Sequence, residues 1–321
     1  MAFFELLGWK TVDWDFVGRR HIAFALSGLL VATGLVAGIQ LLRGKAPMGI
    51  DFAGGVAIQA VLQKPVDPDA VRQAFTAHGI ADAQIQQAEA AGVQKLLIRL
   101  RPTADMSGTT ATASARTLLE GLAGGATVVI ESVQVVGPAV GKRLQAQAAW
   151  AVFWAIILIM VYIWIRFEVR FGVAAAVATL HDVIAVLGLM WLLHRDFTLL
   201  IVTSLLTLAG YSLTDTVVVY DRIRENLRLH PGEPLETGIN RSINEVLSRT
   251  LVTSVMVVLP LAALLVYGSP VTFDFSLALM LGVVVGTYSS WFVASPIIVE
   301  WELYRRRQRA ASAAARFGRP R

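Results

Sequence analysis

No cysteine occurs in the 321 residues, which excludes disulfide staples, cysteine–zinc centres and thiol nucleophiles. Charge is also scarce. Asp, Glu, Lys and Arg make up 16% of the chain, against about a quarter in ordinary soluble domains. The familiar catalytic signatures are missing: there is no HExxH, no nucleophile elbow and no dinucleotide-binding glycine fingerprint. The nearest approach to a phosphate loop, Gly38 to Gly44–Lys45, has the wrong spacing, lacks the Ser or Thr after the lysine and abuts an apolar run. The residues therefore argue against an enzyme, and neither a cofactor nor a metal is expected. Energy, if used, has to come from a gradient or a partner.

Apolar residues are what the chain has in excess, at 55% of the sequence with a mean hydropathy of +0.61. The net charge of +5 comes from basic residues set beside apolar runs. That is how a membrane-orientation signal is placed, and it disfavours a nucleic-acid patch. Residues 1–20 interleave Phe3, Phe4, Trp9, Trp14 and Phe16 with charges, a pattern suited to a membrane–water interface. The first apolar run, 21–42, is longer than a signal-peptide core and lacks a small-residue cleavage site, so it reads as an uncleaved anchor. Its Gly34 and Gly38 make a GxxxG pair, either a helix contact or a chance spacing.

Five more spans follow, at 148–165, 171–193, 197–220, 251–267 and 275–301. Pro260 is a candidate kink in the fifth, and the sixth carries a second GxxxG at Gly282–Gly286. An Arg-rich polar segment, 221–249, separates spans four and five and is broken by Pro231 and Pro234. A short loop is expected at 268–274. Lys and Arg concentrate at the N-terminus, after spans two and four, and in the tail from Arg305, whereas the loops after spans three and five hold little beyond Arg195. This asymmetry puts both termini in the cytoplasm.

Residues 43–145 have a different texture, with strand-length apolar runs, Pro and Gly punctuation and both charge signs. Strands are expected near 56–62, 83–88, 95–100 and 126–136, and helices near 68–78 and 107–122, with Asp67 as N-cap of the first. The order βαββαβ is the ferredoxin-like motif. The expected architecture is thus an α-helical polytopic membrane protein: an interfacial segment 1–20, helix 21–42, a periplasmic α+β domain 43–145, five further helices within 146–304, and a basic tail 305–321.

The chemistry expected of such a chain lies inside the membrane. Asp215 sits in an apolar run, where a carboxylate costs at least about 3 kcal/mol; it is either a hydrogen-bonding strut or a functional acid. Asp182 in the preceding span has the same two readings, with His181 and Thr179 as local partners. Tyr211, Asp215 and Arg222 fall near one helical face. Arg249, at the start of the fifth span, either shares a depth with Asp215 or snorkels to the interface. An acid beside arginine stays ionised, whereas one alone in apolar surroundings takes up a proton. His181 reads as a packed helix residue, since no second metal ligand lies at suitable spacing. Asp221, Arg222, Arg224 and Glu225 read as a solvated helix end.

Several stretches together resemble one family: GIDFAGG at 49–55, VGPAVGKRL at 136–144, HDVIAVLGL at 181–189, GYSLTDTVVVYDRIREN at 210–226, SINEVLSRTLVTS at 242–254 and GTYSSWFVASP at 286–296. In this order they resemble the SecF branch of the SecD/SecF family. The resemblance implies half of a resistance-nodulation-division (RND) type transporter, paired with SecD in the bacterial inner membrane. It implies use of the proton-motive force in late steps of protein export, drawing a preprotein out of the SecYEG channel, with YajC and YidC as further partners. It maps the family's membrane acid onto Asp215, its SRTL arginine onto Arg249 and its HD motif onto His181–Asp182. Thr214 stands where the family commonly has Asn, beside the proposed proton site, and Ala53 where a larger or polar residue is common. The competing readings are a scaffold subunit without its own proton pathway and half of a small-molecule exporter.

Overall fold

A backbone in hydrocarbon has no solvent partner for its N–H and C=O groups, so long apolar runs close their hydrogen bonds internally as helices. The computed structural model describes residues 13–78, 80, 83–90, 93–101, 108–124 and 127–317. Phe3, Phe4, Trp9, the helix start expected at 107, the strand start expected at 126 and the last four tail residues lie outside these. Six helices among the described residues are long and apolar enough to cross a membrane. They are α1 (Arg20–Leu42), α5 (Pro138–Arg166), α6 (Val169–Leu192), α7 (Leu199–Leu229), α8 (Leu235–Tyr267) and α9 (Pro270–Ser289), which runs on into α10 (Ser295–Phe317).

Between α1 and α5 lie a short helix α2 (Ile50–Ala53), β1 (Gly55–Leu62), α3 (Pro68–Ala77), β2 (Gln84–Ala90), β3 (Val93–Leu100), α4 (Gly108–Leu122) and β4 (Val128–Val136). The sheet order is β2-β3-β1-β4 with every neighbouring pair antiparallel, the ferredoxin-like arrangement. Asp67 caps α3 as expected, its side chain accepting from the Asp69 N–H. Ile58, Leu62, Leu96 and Ile98 point from one sheet face onto Val71 and Phe75 of α3 and Leu119 of α4. The alternate residues Ala57 and Leu97 face the other way, onto Ile50 and Val271 of α9, so the second face of the sheet rests on the helical bundle.

Three boundaries differ from the expectation. The domain's last strand ends at Val136 and α5 starts at Pro138, so residues 138–145 are the first turns of a spanning helix. The 221–249 segment is not an interlude: α7 continues to Leu229 and α8 begins at Leu235, because the break is confined to the turn containing Pro231 and Pro234. The loop expected at 268–274 shrinks to two residues, since Ser269 caps α9 by accepting from the Thr272 N–H and Pro270 suits a first helical position.

Glycines place the elements closely. A Cβ on Gly34 of α1 would lie 2.0 Å from the Ile184 carbonyl oxygen, and one on Gly188 would lie 2.5 Å from the Gly34 nitrogen. Gly38 has open space around it. The true pair is therefore Gly34 with Gly188 across helices. In the second motif both glycines face α7, Gly282 against Leu208 and Gly286 against Ser212.

Candidate functional site

The acids expected from the sequence stand on α6 and α7. Asp182 is wholly buried among Ala178 and Ala185 of its own helix. Its carboxylate accepts hydrogen bonds from Ser212 Oγ of α7 and from Ser289 Oγ of α9, the latter at 2.8 Å. His181 Nδ1 lies 2.8 Å from the other carboxylate oxygen, while its Nε2 is buried without a hydrogen-bond partner among the described residues. The arrangement ties three helices to one carboxyl group and gives each of its buried oxygens a hydrogen-bond partner.

Asp215 is 4% exposed. It makes no ion pair among the described residues; Thr287 Oγ1 of α9 lies 3.5 Å from its carboxylate, and the Ser254 and Thr253 hydroxyls of α8 also reach it. Thr287 in turn lies 2.6 Å from Ser254 Oγ of α8, and Tyr211 donates its hydroxyl to Ser254 at 3.2 Å. Tyr211 and Asp215 are thus joined through residues on two other helices. Thr214, one residue from Asp215, is exposed and donates to the Gly210 carbonyl of its own helix. Arg249 is exposed on α8 and forms no ion pair with Asp215. Arg222 points to a different partner set, with Glu245 at 2.5 Å and Glu225 at 2.7 Å. Asp221 pairs with Arg166 at 3.4 Å, so the expected solvated helix end is cross-linked to its neighbours.

Sequence reasoning missed the hydroxyl residues Ser212, Ser254, Thr287 and Ser289. Serine and threonine are frequent in any helix, and only their place among apolar residues marks them. It also missed a second buried charge group. Arg99 of β3 meets Asp196 of the α6–α7 turn at 2.7 Å and Asp274 of α9 at 3.6 Å, and Arg195 meets Asp274 at 3.3 Å. Asp51 of the GIDFAGG stretch accepts from the Leu199 N–H, filling an open donor at the start of α7. That stretch also needs its glycines: Gly54 and Gly55 have φ of 80° and 132°, and a Cβ on Gly55 would lie 2.3 Å from the Leu100 carbonyl oxygen. Among the described residues no three His, Asp or Glu side chains converge as metal ligands.

These features define a polytopic membrane protein with an extramembrane ferredoxin-like domain and an ionisable core enclosed by its helices. The family model described as "Protein export membrane protein SecD/SecF, C-terminal" matches residues 117–304. The chain is 44% identical over 297 residues to the protein translocase subunit SecF of Thermodesulfovibrio yellowstonii, covering 92% of this chain and 96% of that one. It is 37% identical over 304 residues to the protein translocase subunit SecDF of Thermus thermophilus, covering 93% of this chain and 40% of that longer protein. The crystal structure of SecDF, a translocon-associated membrane protein from that organism, superposes with a TM-score of 0.75 over 91% of this chain and 39% of the other, at 37% identity. The chain belongs to the SecD/SecF family of protein-export membrane proteins.

Proposed function

We propose that this protein is a non-enzymatic subunit that works with a SecD-type partner in the bacterial inner membrane and couples proton movement to late steps of protein export through SecYEG. The SecD partnership is supported by the Thermus thermophilus relative, whose longer chain this one matches over 40% of its length under the name SecDF. An apolar flank on α5, with Trp150, Phe153, Trp154 and Leu158 exposed, is suited to lipid or to such a partner. Both termini are cytoplasmic, since Arg166, Arg170, Arg222, Arg224 and Arg228 gather at the turns on that side. The α+β domain then lies on the opposite side, where an emerging preprotein is met. YajC and YidC complete the partner set, and no nucleic acid is involved.

One observation carries the reading: Asp215 is a buried carboxylate without an ion-pair partner among the described residues, surrounded by hydroxyls on neighbouring helices. An acid held this way responds to protonation, because gain of a proton changes what the hydroxyls around it are drawn to. Asp182 is the fixed member of the pair, and Arg249 is a cation on α8 that reaches Asp215 only in another arrangement of the helices. The test is preprotein export in inverted membrane vesicles carrying Asp215→Asn. Assembly is expected to survive while gradient-driven export falls by at least about tenfold. Export at the native rate would overturn the coupling and leave a scaffold.

A further inference from the structure

We infer that the hydroxyls of Tyr211, Ser254 and Thr287 form the route by which a proton reaches Asp215; this rests on the coupling role of Asp215 proposed above. The three residues come from α7, α8 and α9, and they descend from a half-buried tyrosine to buried Ser254, Thr287 and Asp215. Tyr211 donates to Ser254 Oγ at 3.2 Å, Ser254 Oγ and Thr287 Oγ1 are 2.6 Å apart, and Thr287 Oγ1 is 3.5 Å from Asp215 Oδ2.

Each aliphatic hydroxyl has one proton and here more than one acceptor to choose between. Ser254 lies 2.8 Å from the Thr250 carbonyl and 2.6 Å from Thr287, and it also reaches the Asp215 carboxylate. Thr287 lies 2.8 Å from the Val283 carbonyl and 3.5 Å from Asp215. When both turn to their own helix carbonyls the chain is broken. When both turn inward, every donor points along one direction, from Tyr211 to the carboxylate. An ionised Asp215 draws the Thr287 proton toward itself, and a protonated one releases it to Val283. The final gap is long for a bond to a carboxylate, so transfer requires α7 and α9 to close by about 0.8 Å.

The step balances. A hydronium ion gives its proton to the Tyr211 oxygen as the tyrosine proton passes to Ser254, the Ser254 proton to Thr287 and the Thr287 proton to Asp215. Each hydroxyl oxygen gains one O–H bond as it loses one. Hydronium becomes water, the carboxylate becomes a carboxylic acid, and no charged alkoxide is left behind. The other charged and titratable groups on the packed helices are otherwise engaged or turned away. His181 and Asp182 of α6 are bonded to each other, Arg166 of α5 to Asp221, and Tyr288 of α9 donates to the Ala23 carbonyl, while Arg249 of α8 is exposed.

The experiment is proton flux into proteoliposomes holding the full chain with its SecD-type partner, under an imposed pH gradient with a pH-sensitive dye inside. Thr287→Val keeps the shape without the hydroxyl, and Ser254→Ala removes the middle link; each is expected to lower flux by at least about tenfold. Thr287→Ser restores the hydroxyl and is expected to recover native flux, which a purely structural role for the threonine methyl would not allow. Melting temperatures of the variants separate lost flux from lost folding. Native flux in both Thr287→Val and Ser254→Ala, with flux abolished in Asp215→Asn, would overturn the relay and leave the coupling role standing. Native flux in Asp215→Asn would remove the coupling role, and the relay with it.

Discussion

At the scale of single residues, the two buried acids differ in how completely they are held. Asp182 has three side-chain neighbours within hydrogen-bond reach. Replacing it with Ala leaves Ser212, Ser289 and His181 facing an empty pocket, and is expected to destabilise the fold by about 3 kcal/mol. Asp182→Asn keeps an acceptor and the shape, and is expected to cost about 1 kcal/mol. Thermal unfolding in detergent checks both, and equal losses would show that the pocket is indifferent to those donors. A second residue lies outside the spanning helices. Asp15 accepts from Asn240 Nδ2 at 2.7 Å and from the Gly18 N–H at 2.7 Å, which holds its carboxyl below the usual carboxylate range. A lowered folded value means that its contribution is present above the unfolded pKa of about 4 and is lost as pH falls through the folded value. Amide exchange at Phe16, Val17 and Gly18 is therefore expected to be protected near neutral pH and to lose protection on acidification below that range, beyond the intrinsic change. Protection unchanged after Asn240→Ala would show that this contact does not anchor the segment.

At the scale of elements, helix contacts are decided by which face each helix turns inward. A Cβ at Gly34 meets backbone at 2.0 Å, whereas Gly38 faces nothing within 4 Å. Gly34→Ala must force α1 and α6 apart and is expected to cost about 2 kcal/mol. Gly38→Ala is expected to be neutral or to stabilise by up to about 1 kcal/mol through helix propensity. Unfolding of the two variants side by side is the measurement, and equal effects would refute the pairing of Gly34 with Gly188. The sixth span shows a different local decision. Pro296 has no N–H to give the Phe292 carbonyl, and the helix widens into a π turn at Ser290–Ala294. There Ser295 Oγ donates to the Ser290 carbonyl at 2.8 Å.

At the scale of the molecule, the α+β domain is joined to the bundle by charge as well as by covalent chain. Arg99, Asp196 and Asp274 are all buried, so each relies on the others for compensation. Arg99→Met removes the cation and leaves two enclosed carboxylates with Arg195 alone, a change expected to cost about 3 kcal/mol. Faster amide exchange is expected in the α6–α7 turn and the first turn of α9, while Ile58, Leu96 and Ile98 in the domain core stay protected. Unchanged exchange in that turn would show that the domain is held by Ile50, Ala57, Leu97 and Val271 instead. This charge group fixes the domain to the α6–α7 turn and the start of α9, the helix that also carries Thr287. The apolar contacts beneath the sheet and this charge group together join the domain to the bundle.

Much of this was legible in one dimension. The number of spans, the βαββαβ order, the Asp67 cap and the presence of acids in apolar runs are properties of consecutive residues, since hydrophobic runs and periodicity need no knowledge of neighbours. The tertiary structure alone decided that Asp215 meets Thr287, that Arg249 faces away, that Gly34 pairs with Gly188, and that Arg99 reaches Asp196, 97 positions along the chain. The reason is rotational. Each step along a helix turns the side chain by about 100°, so contacts between distant helices depend on how every helix is rolled and set in depth, which packing of the whole bundle determines.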